Sequence, residues 1–207
     1  MKCTKIIISV FLLVLISCKE QSKKQTSVIQ NKILKETNNS TNSDSLSRKV
    51  VYNFYKWYIN DVYLKRIEGY DYAPYKKYGA NKYGLDIEAY ESKLEEISFF
   101  SNSFKLYLID INKKCNQEML KEYWDSNPND EGGSFNIPSC QFRWNYRWFG
   151  SQEGENNKFT ILDNFSKENN TYKYLVQTFM YGEPFTKYEV IVVKENGLFK
   201  INSINSK

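Results

Sequence analysis

The stretch Lys187–Ile204 reads KYEVIVVKENGLFKINSI and decides the fold class. Two runs rich in β-branched and aromatic residues, Lys187–Val193 and Leu198–Ile204, flank the turn residues Glu195–Gly197. An Asn-Gly pair between two such runs is a strong hairpin signal, because both residues tolerate the positive φ of a tight turn. The sequence therefore predicts a final pair of antiparallel strands.

Further strands are predicted upstream of this hairpin. Tyr172–Tyr181 is a strand-like run, and Gly182–Pro184 is the turn that separates it from the next strand. Phe159–Leu162 is a short candidate of the same kind. Before it, Cys140–Phe149 alternates aromatic and polar residues, which is typical of a half-buried strand. The chain therefore predicts an antiparallel meander of four to five strands.

The first part of the chain has helical periodicity instead. A helix is predicted from Leu46 to Arg66, and Asp86 is the expected N-cap of the next helical region. Ser101 divides that region into two helices, the second reaching Trp124; a heptad coiled coil is the competing interpretation. The recurring apolar-stripe positions are Tyr90, Leu94, Ile97, Ser101, Phe104, Leu108, Ile111 and Cys115.

The order of these elements predicts the fold class. Residues 69–85, rich in tyrosine and glycine, are expected to form a loop between the first two helices. Helices grouped before strands indicate an α+β domain. Residues 46–207 are therefore predicted to form one domain, in which two or three N-terminal helices pack on a curved antiparallel sheet.

The N-terminus has the zones of a secretory signal. Two lysines precede the apolar run Ile6–Ile16, which has about half of the roughly 20 residues that span a bilayer. The run ends in Leu15–Cys18, LISC, which resembles the bacterial lipobox. That resemblance implies removal of residues 1–17 and lipid attachment to Cys18. A secretory signal with a chance cysteine is the alternative.

Residues 18–45 are predicted to be a disordered tether. From residue 19 onward this segment has no aromatic residue, glycine or proline, so it cannot bury a core. The predicted address is the bacterial cell envelope, at the outer membrane, either facing the periplasm or on the surface. The formal net charge of +5 is too mild to predict nucleic-acid binding.

Cysteine usage agrees with an oxidising compartment. Cys3 lies in the signal and Cys18 carries the lipid, so Cys115 and Cys140 remain as a predicted disulfide, with two buried thiols as the alternative. Histidine is absent, and two thiols alone are a poor ligand set. The sequence predicts no metal site and no cofactor.

Two short motifs carry a family resemblance. Phe54–Tyr58 (FYKWY) and Val193–Ile201 (VKENGLFKI) are similar to uncharacterised secreted bacterial proteins with the cone-shaped α+β fold of nuclear transport factor two. The resemblance covers residues 46–204 and departs from the family at Phe199, where tryptophan is usual. It implies a curved sheet that wraps around a helix and leaves a pocket that is open at one end. It implies no activity, because this fold hosts enzymes, adaptors, immunity proteins and binding modules.

Asp61 is the candidate catalytic residue. On a regular helix it projects onto the apolar stripe of the first helix, where desolvation would raise the carboxyl pKa toward that of a general base. A solvated or ion-paired Asp61 is the alternative. The stripe comprises Leu46, Val50, Phe54, Trp57 and Leu64.

Four residues are the ligand-binding candidates. Trp57 and Asp61 belong to the first helix, and Arg143 and Arg147 to the polar face of the predicted strand Cys140–Phe149. Arginine and aromatic side chains are common at interfaces. Core packing explains the aromatic face of the strand equally well.

The sequence therefore predicts a non-enzymatic envelope lipoprotein. Its partners are expected to be the lipid bilayer, through acylated Cys18, and a small ligand, a glycan or an envelope protein, for example as an immunity-type inhibitor. A small-molecule enzyme of the isomerase or dehydratase type, using Asp61, is the alternative.

Overall fold

The computed structural model describes residues 42–124, 128, 136–144, 148–149, 158–162, 166–168 and 170–207. The compact unit considered below comprises Leu46–Lys207. The predicted signal peptide, Cys18 and residues 18–41 of the predicted tether lie outside the described residues. Residues 42–45, the end of that tether, are helical. Within the described part of the chain, no helix combines the length and hydrophobicity required to span a membrane.

The first helix, α1, occupies residues 42–57 and continues as a π-helical turn, Tyr58–Tyr63. Its buried stripe differs from the predicted one, because Leu46 and Leu64 are exposed. Every third or fourth residue is nonetheless buried, as an amphipathic helix requires. The buried side chains are Ser47, Val51, Phe54, Tyr55, Tyr58, Ile59 and Val62.

Residues 69–85 are not a plain loop. They contain an antiparallel hairpin of β1, Tyr75–Gly79, and β2, Lys82–Leu85. The loop prediction is wrong because the glycines of this segment do not prevent strand pairing: Lys76 pairs with Gly84 and Lys77 with Tyr83.

The next two helices agree with the predicted pattern. Helix α2, Ile87–Glu96, begins at Asp86, whose carboxylate accepts a 3.2 Å hydrogen bond from the Ala89 N–H. Helix α3, Asn102–Met119, begins at Ser101, so the predicted break is confirmed. It ends before the predicted limit at Trp124. At the predicted stripe position Ile111 the side chain is only half-buried, and its neighbour Asn112 is fully buried.

The main sheet is antiparallel. Its strands are β3, Lys158–Ile161; β4, Ser166–Glu168; β5, Thr171–Met180; β6, Glu183–Glu195; and β7, Leu198–Ser206. Their order is β3-β5-β6-β7, and β4 pairs with β5. The predicted Asn196-Gly197 turn is confirmed, with φ of 50° and 82°. The α+β class predicted from the sequence is therefore correct.

The segment predicted as the strand Cys140–Phe149 has another structure. Pro138–Trp144 is a 3-10 helix, and the consecutive residues Trp148 and Phe149 are both buried, which the alternation of a strand does not allow. Cys140 is bonded to Cys115 of α3, at an S–S distance of 1.99 Å. The 3-10 helix Pro138–Trp144 is therefore attached to α3 and is not a strand of the sheet. Residues 145–147 lie outside the described residues.

Aromatic rings fill the space between helices and sheet. Phe54 of α1 lies at the centre, with ring centroids 5.2 Å from Phe100, 5.8 Å from Trp148 and 5.9 Å from Tyr58. Tyr55, on the same helix, stacks at 5.4 Å on Phe159 of β3. The sheet residues that face this core are Tyr172, Tyr174, Val176, Tyr188, Val190, Val192, Ile201 and Ile204.

Candidate functional site

Asp61 does not face the core. Its Oδ1 accepts a hydrogen bond from Lys65 Nζ at 2.7 Å, and its side chain is 51% exposed. The regular part of α1 already buries a different face from the predicted one, because Val51 and Tyr55 are fully buried whereas Leu46 is exposed, and Asp61 lies away from that buried face. The prediction that Asp61 lines an interior pocket is wrong, because its half-exposed carboxylate pairs with Lys65 at the surface.

Trp57 is half-buried and has aromatic neighbours. Its ring packs edge-on against Tyr70, at 5.4 Å between centroids, and lies 5.8 Å from Phe99. These contacts join α1 to the segments on either side of α2. Trp57 therefore contributes to the packing of α1 against these two segments.

Arg143 connects two segments of the fold. Its Nη1 donates a 2.9 Å hydrogen bond to the carbonyl oxygen of Ala73. Its guanidinium lies over the rings of Tyr75, at 4.6 Å, and Tyr72, at 5.3 Å. The planar group thus joins the 3-10 helix to residues 72–75, the last of which is the first residue of β1. The predicted partner Arg147 lies outside the described residues.

A different carboxylate has buried neighbours. Tyr58 of the π-helical turn donates a 2.5 Å hydrogen bond to Asp71 Oδ1, and Tyr90 of α2 donates one of 3.4 Å to the Asp71 carbonyl oxygen. Burial, and then the charge of Asp71, raise the pKa of Tyr58 well above its ordinary value. The same two causes raise the pKa of Tyr188 to about 12. Both hydroxyls therefore keep their protons well above neutral pH, and that of Tyr58 is the donor to Asp71.

Sequence reasoning missed this cluster. Asp71 lies between two tyrosines in a segment predicted to be a loop, and no periodicity connects it to Tyr58 or Tyr188. Only the packing of α1 against that segment brings the groups together. The cluster joins three parts of the chain, and its chemistry is that of a carboxylate held by a tyrosine hydroxyl.

The second feature that sequence reasoning missed is an exposed basic and aromatic surface on the β1–β2 hairpin. We call Lys76, Lys77, Tyr78, Lys82 and Tyr83 the hairpin surface. Lys77 Nζ lies 5.6 Å from the ring centroid of Tyr83, and Lys76 Nζ lies 5.9 Å from that of Tyr78. The Tyr78 side chain is 49% exposed. Since Lys77 pairs with Tyr83 and Lys76 with Gly84, the first cation and ring lie on one face of the hairpin, and Lys76, Tyr78 and Lys82 lie on the other.

The hairpin is held firmly against α3 and the chain that follows it. Asn116 Oδ1 accepts a 2.7 Å hydrogen bond from the Leu85 N–H. At the other end, Asn81 Nδ2 donates to the Trp124 carbonyl oxygen at 2.9 Å, and the Trp124 N–H donates to the Asn81 carbonyl oxygen at 3.1 Å. The hairpin surface is thus supported by bonds at both ends of β2.

The chemistry available at these sites is that of carboxylate, phenol, ammonium and guanidinium groups. Within the described residues, no three Cys, Asp or Glu side chains come together as metal ligands. Comparison of the chain with protein-family models, with curated proteins and with solved structures finds no match.

Proposed function

We propose that the chain is a lipid-anchored protein of the bacterial envelope whose folded domain binds a partner through the hairpin surface. The observation that carries the binding part is a hairpin, held at both ends of β2, whose two faces together carry three exposed lysines, the half-exposed Tyr78 and the partly buried Tyr83. A tyrosine side chain supplies a large contact area with a polar hydroxyl at its end, and a lysine side chain supplies a positive charge. Together these two residue types suit the recognition of an extended surface.

The packing of the interior supports surface recognition over catalysis in a pocket. The positions that a cone-shaped pocket would use are occupied by rings around Phe54, and Asp61 is on the outside. Asp71, the carboxylate with buried tyrosine neighbours, accepts from Tyr58 at its side chain and from Tyr90 at its backbone carbonyl oxygen. We therefore place the non-enzymatic hypothesis first.

The finer fold assignment is part of the same proposal. We assign the domain to the cone-shaped α+β architecture of nuclear transport factor two. Three observations support this: helices precede an antiparallel meander, Phe54–Tyr58 contributes to the core from α1, and Val193–Ile201 lies in the β6–β7 hairpin.

The envelope address is supported by the N-terminal sequence. The apolar run Ile6–Ile16 is short, LISC ends it at Cys18, and the two remaining cysteines lie at disulfide distance. More than one acyl chain on Cys18 would make the attachment stable. Outer-membrane placement follows from the absence of aspartate directly after Cys18.

Mass spectrometry of the natively expressed protein tests the address. We expect the chain to begin at Cys18 with acyl groups attached. A Cys18→Ala variant should not be processed to a lipoprotein, so no processed form should occur in the membrane fraction. Retention of Met1, or an unmodified Cys18, contradicts the proposal.

Site-specific photo-crosslinking in cells tests the binding surface. A benzophenone amino acid replaces Tyr78, and in the matched control it replaces Tyr107, an exposed tyrosine of α3. We expect a covalent adduct from position 78 and much less from position 107. Equal yields, or none from either position, contradict binding through the hairpin surface.

A further inference from the structure

We propose that the outer face of the main sheet binds an acidic surface of a partner protein. By the outer face we mean the side of β5, β6 and β7 that is opposite the aromatic core. The inference goes beyond the proposed function, because it concerns a second surface and depends neither on the hairpin surface nor on the lipid anchor.

The strand register places the side chains of the outer face together. Lys173 of β5 pairs with Ile191 of β6, and Leu175 pairs with Glu189. Successive side chains of a strand point to opposite faces. The residues that alternate with these four are buried in the core. The four side chains therefore lie on one continuous surface.

The centre of the outer face is apolar. Ile191 and Val193 are two positions apart on β6, and Leu175 is the diagonal neighbour of Ile191 on β5. All three aliphatic side chains are only half-buried, whereas Val190 and Val192 between them are fully buried in the core. A protein–protein interface has an apolar centre of this kind, surrounded by a polar rim.

Lysines form the rim of this centre. Lys173 Nζ and Lys207 Nζ each lie 3.4 Å from the same Glu189 oxygen, Oε2. Lys207 lies beside Lys187, because its N–H donates to the Lys187 carbonyl oxygen at 2.9 Å. Lys187 is exposed and takes part in no salt bridge within the described residues. Three ammonium groups around one carboxylate leave an excess of two positive charges.

The other charged groups of the outer face do not change this balance. Lys158 of β3 and Glu168 of β4 add one charge of each sign, and so do Lys200 and Glu195 at the far end. The last two are already engaged, since Lys200 donates to a main-chain carbonyl oxygen before α3 and Glu195 accepts from the first N–H of α3. A rim with excess positive charge is complementary to an acidic partner surface.

The same charges oppose pairing of two copies through this face. A face-to-face dimer would bring the lysine rims of both copies together, and like charges across an interface are unfavourable. The occupant is therefore a different protein, with an apolar centre and acidic residues around it.

Site-specific photo-crosslinking in the native host tests the proposal. A benzophenone amino acid replaces Asn205, which is exposed and pairs with Glu189, and in the matched control it replaces Tyr107 of α3. We expect a protein adduct from position 205, with a yield severalfold higher than from position 107. Mass spectrometry should map the adduct to a partner segment with more acidic than basic residues.

Three pairs of substitutions separate the rim from charge elsewhere and from shape. Lys173→Gln with Lys187→Gln should reduce the adduct from position 205 severalfold. Lys49→Gln with Lys56→Gln, which removes two charges from the exposed side of α1, should leave it unchanged. Lys173→Arg with Lys187→Arg keeps the charge and should keep the adduct. Added salt should lower the yield in cell extract, because at 0.1 M it screens charges beyond about 10 Å.

The other outcomes overturn the proposal. They are no adduct from position 205, a yield equal to that from position 107, or an adduct with a second copy, a lipid, a glycan or a segment that is not acidic. Equal losses in the glutamine and arginine pairs would show that charge does not govern binding. An adduct from position 78 without one from 205 refutes the outer-face proposal alone. The reverse result refutes the hairpin surface alone.

Discussion

Asn116 Oδ1 accepts a hydrogen bond from the Leu85 N–H at 2.7 Å, and this bond connects the β1–β2 hairpin to α3. Gly84, the preceding residue, allows the close approach. A Cβ atom at position 84 would lie 2.3 Å from Asn116 Oδ1 and 3.1 Å from Leu120 Cδ2. The position of the hairpin surface therefore depends on the absence of one side chain.

Gly84→Ala should destabilise the protein and release the hairpin from α3. We expect a loss of about 1–3 kcal/mol in the free energy of unfolding, because the Asn116 bond must break or the strand must shift. Gly79→Ala is the control, since the nearest atom to its Cβ is Lys82 Cβ at 3.8 Å. It should stay within about 0.5 kcal/mol of the parent in urea denaturation. Equal effects would contradict the close-approach argument.

Two tyrosine-to-phenylalanine changes should have different effects. Tyr58→Phe removes the hydroxyl that donates to Asp71 and should cost about 1.5–3 kcal/mol. The Tyr55 hydroxyl is buried and has no hydrogen-bond partner within the described residues. Its removal should be neutral or stabilising, because a buried polar group without a partner is costly. Chemical denaturation measures both, and a larger loss at position 55 would refute the assignment.

Stability should fall at alkaline pH. Burial raises the pKa of Tyr55 and of Tyr58 well above 10, and that of Tyr188 to about 12. Since the folded state holds these protons more tightly, its stability is complete below pH ~10 and declines above it, as the unfolded chain ionises. The slope should reach about 1.4 kcal/mol per pH unit for each buried tyrosine. Tyr55→Phe should lower the slope by one such contribution, and tyrosinate absorbance monitors the titration.

Arg143→Lys should behave as a structural change. A lysine has no planar group that could lie over the rings of Tyr72 and Tyr75 while it donates to the Ala73 carbonyl oxygen. We expect Arg143→Lys to lower the free energy of unfolding by about 1–2 kcal/mol. This loss should be more than half of the loss caused by Arg143→Ala. Thermal unfolding of both variants measures this. Full rescue by lysine would show that charge alone matters at this position.

Removal of the Cys115–Cys140 bond should cost about 3 kcal/mol in the chain-entropy description of a cross-link that closes 25 residues. The double change to serine leaves no thiol that could form another bond at this site. Unfolding of the parent with reductant should match that of the double variant without it. A reductant effect on the double variant would point to another cause.

Local sequence patterns predicted those helix ends and turns that depend on residues only a few positions apart in the sequence. Asp86 and Ser101 cap α2 and α3 with their own side chains, and Asn196-Gly197 adopts the positive φ of its turn. The apolar stripe of α2 and α3 was predicted nearly in full. These features depend on bonds between near neighbours, so one chain without context is enough to find them.

Candidate-site residues were predicted less well, because their roles depend on distant parts of the chain. The face that α1 buries is set by its packing and excludes Asp61. The alternation in Cys140–Phe149 looks like a strand until the link to α3 is considered. The contacts of Arg143 with residues 72–75 have no local signal.

The sequence by itself determined the α+β class, the caps of α2 and α3 and the main strands, because hydrophobic period and turn chemistry act over short distances. Only the tertiary structure decided which carboxylate acquires buried tyrosine neighbours and which lysines face solvent on the hairpin. Those outcomes depend on how α1, α3 and the segment between them pack, and close packing selects one arrangement among many that the same local pattern allows.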